Sequence, residues 1–197
     1  MRHILLGPEP FDFDEKVRSR GMLFLDTISD LNKIEWKGRE YWRNCLPILR
    51  DQHSGICNYC ATWIPYSTGS HSVDHFRPKN IFPELAYEWT NFRYASSRFN
   101  SRKGIKEIID PVDIKPNDFT IDFSTMFIEP GVNTSASRYV LIEQTIEILR
   151  LNSDEDLIEE RFEYYINYRS GEFSIEYLQR VSPFIAEELA RQGLVNT

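Results

Sequence analysis

The sequence predicts a mainly helical α+β fold with one small β-containing centre. Apolar residues recur at the helical period on both sides of this centre. Between residues 55 and 83 the pattern changes to short runs rich in β-forming side chains, separated by turn residues. Of the 197 residues, 41% are hydrophobic and 14% aromatic, which is sufficient for one compact, packed domain.

Two helices are predicted in the N-terminal helical segment, residues 1–54. The first covers residues 14–33, where apolar side chains follow the helical period, and Asp12 or Asp14 is a suitable cap. The second covers residues 39–50. We expect it to bend or break near its internal proline, which cannot donate the helical hydrogen bond.

The central segment, residues 55–110, carries the β-like runs ICNYCATWI and HSVDHF, which a turn separates. Residues 89–103 are then predicted to form a helix. Gly104 should end this helix, because glycine adopts the left-handed conformation without steric cost.

The C-terminal segment, residues 111–197, is predicted to pack on the core as a small hairpin followed by helices. FTIDF and TMFIE alternate apolar and polar residues, as hairpin strands do. A helix can begin at Ser135 or Ser137 and continue to about residue 150. Two further helices are predicted at 154–169 and at 174–192, the second bent at its internal proline.

The basic side chains are concentrated in one stretch. The net charge of −7 argues at first against a nucleic-acid partner. Residues 77–106, however, carry 7 basic and 2 acidic side chains, whereas residues 107–197 carry 7 basic and 18 acidic ones. A local basic stretch can hold phosphates because screening limits distant charges to roughly 8–10 Å. A merely solvated face explains the charge equally well, and tight binding to nucleic acid should need a basic partner.

No membrane contact is expected from the sequence. No stretch approaches the roughly 20 consecutive apolar residues of a membrane span, and the first residues are too weakly apolar for a signal peptide. The three cysteines, Cys45, Cys57 and Cys60, do not make a disulfide framework. These features are typical of a cytoplasmic protein.

His75 is the candidate general base. It should end a strand, where its ring can be fixed and presented to a phosphodiester, and imidazole titrates near working pH. Asp74, freed from strict alternation at the strand end, and Asn100 on the following helix can each supply an oxygen to Mg²⁺ or Mn²⁺. Two protein ligands leave room for water and phosphate, as metal-assisted hydrolysis of a phosphodiester requires.

Other polar residues of the central segment have supporting roles in this hypothesis. Asn91 is expected to orient the His75 ring or to tie the loop to the helix. Four basic residues close in sequence to the metal ligands are candidates for contact with the phosphates of DNA or RNA, although solubility alone would also explain them. These residues are Arg77, Lys79, Arg102 and Lys103.

The order CNYC, DHFRPK, WTN and NSRK resembles the HNH endonucleases. It is most similar to the PtuB-like branch, which contains the nuclease subunit of Septu antiphage systems and also accompanies some retrons. Residues 143–161 (EQTIEILRLNSDEDLIEER) are similar to a downstream segment of that branch, so the resemblance covers roughly residues 55–161.

The resemblance implies a central ββα-metal fold with His75 as base and with Asp74 and Asn100 as metal ligands. It also implies a partner, an ABC-type ATPase of the PtuA-like kind. A retron reverse transcriptase and its DNA are further partners in some systems of this branch. Nothing in composition or spacing indicates these partners.

One departure concerns the structural zinc of the family. A second Cys-x-x-Cys usually completes a four-thiolate site, but the matching positions here are Ser96 and Phe99. Two cysteines cannot close a tetrahedral site, so we expect the zinc to be lost, the cysteines to be small buried residues, and Phe99 to fill the space. An alternative zinc site stays open, built from Cys57, Cys60, His53 and His71.

Three functions therefore stay open. The first is a nuclease that acts as the effector of an antiphage complex with an ATPase. The second is a stand-alone restriction-type HNH nuclease, against which the acidic helical C-terminus argues. The third is a degenerate, non-catalytic interaction subunit, against which the retained Asp74, His75 and Asn100 argue.

Overall fold

A computed structural model describes residues 1–132 and 134–195. Within these residues, helices and two antiparallel two-stranded sheets make up an α+β fold, which confirms the predicted class. The helices are α1 (Ser19–Leu25), α2 (Leu46–Gln52), α3 (Ser97–Lys103), α4 (Ala136–Leu149), α5 (Glu155–Arg169), α6 (Ile175–Val181) and α7 (Pro183–Arg191). The strands are β1 (His71–His75), β2 (Phe92–Ser96), β3 (Phe119–Asp122) and β4 (Phe127–Pro130).

The central hairpin consists of β1 and β2, and α3 follows it directly and packs on both strands. In its register, His71 lies opposite Ser96 and His75 lies opposite Phe92. The prediction that His75 ends a strand is confirmed. The order strand, strand, helix brings the end of β1 and the helix that carries Asn100 into one region of the molecule.

The expected helix over residues 89–103 is wrong in its first half. Trp89–Asn91 forms one 3-10 turn, β2 follows it, and only α3 is helical. The extended conformation buries Phe92 and Tyr94 completely and pairs their backbone with β1. This tertiary pairing outweighs local helix propensity. Gly104 ends α3 with a φ of 51°, as predicted.

The first β-like run is a turn rather than a strand. The amide of Cys57 donates to the carbonyl of Thr62, and the amide of Ala61 donates back to the carbonyl of Cys57. The strand-like pairing of this run is the isolated bridge between Ile56 and Trp63. A tight loop therefore carries the Cys-x-x-Cys pair.

The helix expected over residues 14–33 is shorter than predicted. A π-helical turn, Asp14–Arg18, leads into α1, which ends at Leu25. Neither Asp12 nor Asp14 caps it through a side chain, because their carboxylates pair with basic side chains of the same helix.

The second predicted helix is interrupted close to its proline. Tyr41–Cys45 forms a 3-10 helix, and α2 begins directly after it with Pro47 in its first turn. Proline is tolerated there because the first helical N–H groups lack intrahelical partners. This segment places Trp42, Cys45 and Leu49 in the core.

The C-terminal segment agrees with the sequence apart from its last helix. The β3–β4 hairpin is confirmed, α4 begins after Ser135, and Arg150 ends it in the left-handed conformation with a φ of 56°. The helix expected over residues 174–192 is two helices, α6 and α7, divided at Ser182. Pro183 cannot continue a helical hydrogen-bond ladder and instead opens the second helix.

Buried apolar side chains from all three predicted segments form one continuous core. Leu49 comes from the first segment, Phe92 from the second, and Leu149 and Leu178 from the third. The boundaries at residues 54 and 110 stay a prediction. None of the helices in the described residues is long and apolar enough to cross a membrane.

Candidate active site

The imidazole of His75 is fixed at the end of β1. Its Nε2 lies 2.9 Å from the carbonyl oxygen of Ala86. A carbonyl only accepts hydrogen bonds, so Nε2 carries the proton and Nδ1 keeps its lone pair. The ring also packs edge-on against Trp42, with centroids 4.6 Å apart, and against Phe92, at 5.3 Å. The ring is therefore held in one orientation and one tautomer.

The surroundings of His75 keep the ring neutral. Burial, together with the nearby charges of Lys79 and Lys103, lowers the pKa of His75 to about 3, although the Ala86 carbonyl opposes this. The expectation that this imidazole titrates near working pH is therefore wrong, because the ring is buried. A neutral imidazole with an available Nδ1 can accept a proton from a water molecule.

Asp74 is buried beside two hydrogen-bond donors. The ammonium of Lys103 lies 3.0 Å from Oδ2 of Asp74, and the hydroxyl of Tyr59 donates to the same oxygen. Burial raises the pKa of Asp74, and the two donors act against that rise. The second oxygen, Oδ1, receives only a longer 3.4 Å contact from Lys103, so it is the more available of the two to a further ligand.

Asn100 lies on α3 next to the start of β1. Its Nδ2 donates to the Ser72 hydroxyl at 3.0 Å. This orientation leaves the amide oxygen without a hydrogen-bond donor among the described residues. Asp74, His75 and Asn100 line one pocket of about 760 Å³, so the structure brings the three predicted residues together.

A divalent ion in this pocket would have two candidate oxygen ligands. Mg²⁺ and Mn²⁺ prefer carboxylate and carbonyl oxygens and commonly retain several waters. Asp74 Oδ1 and the amide oxygen of Asn100 fit that preference. In the described parts of the chain, no three His, Cys, Asp or Glu side chains cluster as metal ligands, so further ligands would come from water or substrate.

Asn91 ties both ends of the loop between β1 and β2. Its Oδ1 accepts from the amide of Arg77 at 2.7 Å, and its Nδ2 donates to the carbonyls of Arg77 and Leu85, each at 3.0 Å. Of the two roles predicted for Asn91, the geometry matches the loop tie, although the loop is tied to the hairpin rather than to the helix. The ring of His75 is oriented by Ala86 instead.

The predicted phosphate contact of Lys103 is wrong for this structure. The side chain is fully buried, and its ammonium donates to the backbone carbonyl of His75 at 2.9 Å as well as pairing with Asp74. A buried ammonium with these partners cannot reach a substrate phosphate. Lys103 instead positions the end of β1.

Arg102 also has a structural partner. Its guanidinium pairs with the buried carboxylate of Asp154 and donates to the carbonyl of Leu149 at 3.1 Å. These contacts fasten α3 to the α4–α5 connection. Asp154 also pairs with Arg98, so two cations share one carboxylate, and the phosphate contact of Arg102 stays a prediction.

Lys79 and Arg77 remain available to phosphate. Lys79 lines the pocket, with its ammonium 5.4 Å from the ring centre of Trp42 and 5.8 Å from that of Trp36. Burial lowers the pKa of Lys79, while the charges of Asp74 and Glu40 act in the opposite direction. Arg77 is exposed outside the pocket lining. Neither side chain has an ion-pair partner among the described residues.

Residues 36–46 form a wall of the pocket that the sequence analysis missed. Trp36 and Trp42 contribute aromatic surface, and Arg43 contributes a mostly exposed guanidinium. The run EWKGREYW was a possible signal, because aromatic and basic residues alternate in it as in many nucleic-acid-binding surfaces.

Among the described residues, Cys57, Cys60, His53 and His71 do not form a cluster of metal ligands, and the alternative zinc site stays a prediction. Nδ1 of His71 lies 2.8 Å from the Tyr94 hydroxyl, and the His53 ring stacks on the ring of Tyr94. Cys57 and Phe99 are buried. Burial would raise the pKa of Cys57, but hydrogen bonds from Cys60 and nearby amides lower it to about 7.

Comparison with known proteins identifies a distant relative of this chain. No family model matches the chain. Over 110 residues it is 25% identical to the Septu protein PtuB of Bacillus thuringiensis. The match covers 56% of this chain and 42% of that protein, so this chain spans less than half of its relative. The similarity supports a relation to Septu proteins and does not by itself identify a chemistry.

Proposed function

We propose that this protein is a metal-dependent HNH-type endonuclease that hydrolyses phosphodiester bonds. The observation that carries the proposal is the fixed tautomer of His75. Its Nε2 is bound by Ala86, so Nδ1 is the basic nitrogen in a pocket shared with Asp74 and Asn100. A rigid, neutral base beside hard oxygen ligands is what metal-assisted hydrolysis requires.

In this mechanism His75 accepts the proton of the attacking water on Nδ1. Lys79 attracts the substrate phosphate into the pocket, and the tryptophan rings beside Lys79 restrict where that phosphate can lie. Asp74 and Asn100 would hold Mg²⁺ or Mn²⁺, which when bound stabilises negative charge on the phosphate and on the departing oxygen. Lys103 keeps the backbone of His75 in place.

We further propose that the protein acts in a Septu-type antiphage defence complex. The similarity to a Septu protein supports this role. The expected partner is an ABC-type ATPase, with a retron reverse transcriptase and its DNA in some systems. The net charge of −11 over residues 107–197 favours a partner with a basic surface.

The test is cleavage of plasmid DNA and of RNA with Mg²⁺ or Mn²⁺, by the chain alone and together with a PtuA-like ATPase. We expect His75→Ala and Asn100→Ala to abolish cleavage. Asn167→Ala, a half-buried asparagine of α5 outside the pocket, is the matched control and should cleave normally. Cleavage that survives His75→Ala would show that another residue is the base.

A non-catalytic interaction subunit is the second candidate, and one observation favours it. The ammonium of Lys103 already neutralises Asp74, so a metal ion must compete with a built-in cation. Calorimetric titration with Mn²⁺ separates the two functions. The interaction subunit would be supported by two negative results together. The protein would show no Mn²⁺ binding that depends on Asp74, and it would not cleave nucleic acid with the ATPase present.

A further inference from the structure

A second cavity, of about 790 Å³, shares no lining residue with the candidate active site. Four parts of the chain enclose it: residues 2–5, the end of α2, the loop around Cys57, and the end of α6. Its volume lies in the range of cavities that hold small organic ligands. The proposed nuclease function gives this cavity no role.

Unpaired buried polar atoms are concentrated at this cavity. Among the described residues, five buried side-chain nitrogen or oxygen atoms have no hydrogen-bond partner. Three of them, Arg2 Nε, Gln52 Oε1 and His53 Nε2, belong to residues that line it, and the other two belong to Arg161. An unpaired buried polar atom is destabilising, because it has lost its hydrogen bonds to water without gaining others. Three side chains that line this cavity therefore carry hydrogen-bonding capacity that the fold itself does not use.

The charge of the lining is unusual for this chain. The chain has 30 acidic residues and a net charge of −7, yet no Asp or Glu lines the cavity. Arg2 and Arg180 both do. Glu187 binds Nη2 of Arg2 at 2.8 Å and leaves Nε unpaired, and Arg180 has no ion-pair partner among the described residues. The cavity therefore selects an anion.

Aromatic side chains line the same cavity. Trp63 is 39% exposed although it lies in a tight loop, and Tyr177 is half-buried beside the guanidinium of Arg180. Stacking on such rings stabilises a bound planar base. Nε2 of Gln52 already donates to the carbonyl of Pro8 at 2.9 Å, so Gln52 offers its amide oxygen as an acceptor. The His53 ring can offer one donor and one acceptor to the edge of a base.

We propose that this cavity binds a nucleoside phosphate. In this arrangement Arg2 and Arg180 hold the phosphate, while Trp63 and Tyr177 stack on the base. Gln52 and His53 complete their hydrogen bonds on polar atoms of the ligand. The site is separate from His75 and requires no metal ion.

Isothermal calorimetry on the full chain tests the proposal, with AMP, ATP, adenosine and inorganic phosphate as probes. We expect AMP or ATP to bind at least about tenfold more tightly than adenosine or inorganic phosphate, because only the nucleotides use both halves of the cavity. Arg180→Ala and Trp63→Leu should each weaken nucleotide binding by about tenfold. Arg169→Ala, an exposed arginine of α5 outside the cavity, should bind normally.

Two further variants separate this site from the proposed nuclease site. His75→Ala should bind nucleotide as the native chain does, whether or not the protein cleaves nucleic acid. Binding that Lys79→Ala abolishes and Arg180→Ala leaves unchanged would place the nucleotide in the active-site pocket and overturn the proposal. No binding of any nucleotide, or equal binding of inorganic phosphate, would overturn it as well.

Discussion

The ammonium of Lys103 lies 3.0 Å from Oδ2 of Asp74, and both side chains are almost completely buried. Removing one partner of a buried ion pair leaves the other charge uncompensated, which costs about 3–5 kcal/mol. We therefore expect Lys103→Met to lower the free energy of unfolding by about that amount in urea denaturation. Lys106→Met, an exposed lysine just beyond α3, should change it by less than about 0.5 kcal/mol. Equal stability of the two variants would contradict a structural role for Lys103.

Asn91 should contribute more to the stability of the fold than an asparagine on the surface does. Asn91→Ala removes three hydrogen bonds to the loop backbone and leaves buried partners unpaired. We expect a loss of about 2 kcal/mol in the free energy of unfolding. Asn80→Ala, an exposed asparagine of the same loop that binds only the Trp36 indole, is the comparison. A larger loss for Asn80→Ala would show that the loop is held elsewhere.

Lys79 and Arg102 should separate nucleic-acid affinity from stability. Lys79→Ala removes a pocket cation that has no ion-pair partner among the described residues. We therefore expect weaker binding of nucleic acid whatever its sequence, and a salt dependence (log affinity against log salt concentration) that is less steep by about 1. Arg102→Ala should leave that slope unchanged and instead lower the melting temperature, because its charge pairs with Asp154. Fluorescence anisotropy over a salt series with a labelled oligonucleotide measures the slopes. The opposite assignment of the two effects would refute this division of roles.

The two strands of the central hairpin show what local sequence could and could not reveal. β1 lies in the run HSVDHF, which the sequence predicts as β-like, and it ends at His75 as expected. β2 was missed because FRYAS is compatible with a helix until its partner is known, and that partner lies some twenty residues earlier. The burial of Lys103 is hidden for the same reason: its contact with Asp74 spans 29 residues. Local patterns located the candidate trio, but long-range pairs decide which basic residues are free.

Glu188 on α7 should contribute stability that depends on pH. Burial alone would raise the pKa of Glu188, but Arg191, Thr120, the Ile121 amide and Gln192 together lower it below the ordinary value of 4.5. The stabilisation is thus fully present above pH 4.5 and is lost as the pH falls through the folded-state pKa. The measurement is urea denaturation from neutral to acidic pH. At pH 7 the free energy of unfolding of Glu188→Gln should be about 2 kcal/mol lower than that of the native chain, and the difference should shrink in acid.

Glu187 provides a control of opposite sign. Burial raises the pKa of the neighbouring Glu187 carboxyl, so Glu187→Gln should lose stability relative to the native chain as the pH falls, rather than approach it. Parallel pH curves for Glu188→Gln and the native chain would contradict the assigned pKa shift.

At Gly21, helix propensity and side-chain packing favour different residues. Alanine at a helical position is favoured over glycine by about 1 kcal/mol, yet a Cβ at position 21 would lie 2.0 Å from the ring of Tyr87, which is fully buried. We expect Gly21→Ala to lower the free energy of unfolding by about 1–3 kcal/mol. At Gly171 a Cβ would point into open space, and the only strain comes from the positive φ of 82°. Gly171→Ala should therefore lower the free energy of unfolding by about 1 kcal/mol. A Gly21→Ala protein that melts above the native chain would show that Tyr87 can move.

The loop tie made by Asn91 has a consequence for how this protein can diverge over evolution. Its hydrogen bonds close the loop at Arg77 on one side and at Leu85 on the other, directly before the carbonyl of Ala86 that holds His75. Residues 78–84 lie beyond that closure. If the protein has the proposed nuclease function, insertions and exchanges there would change substrate selectivity while the imidazole of His75 keeps its place, so selectivity and chemistry would vary independently within one fold.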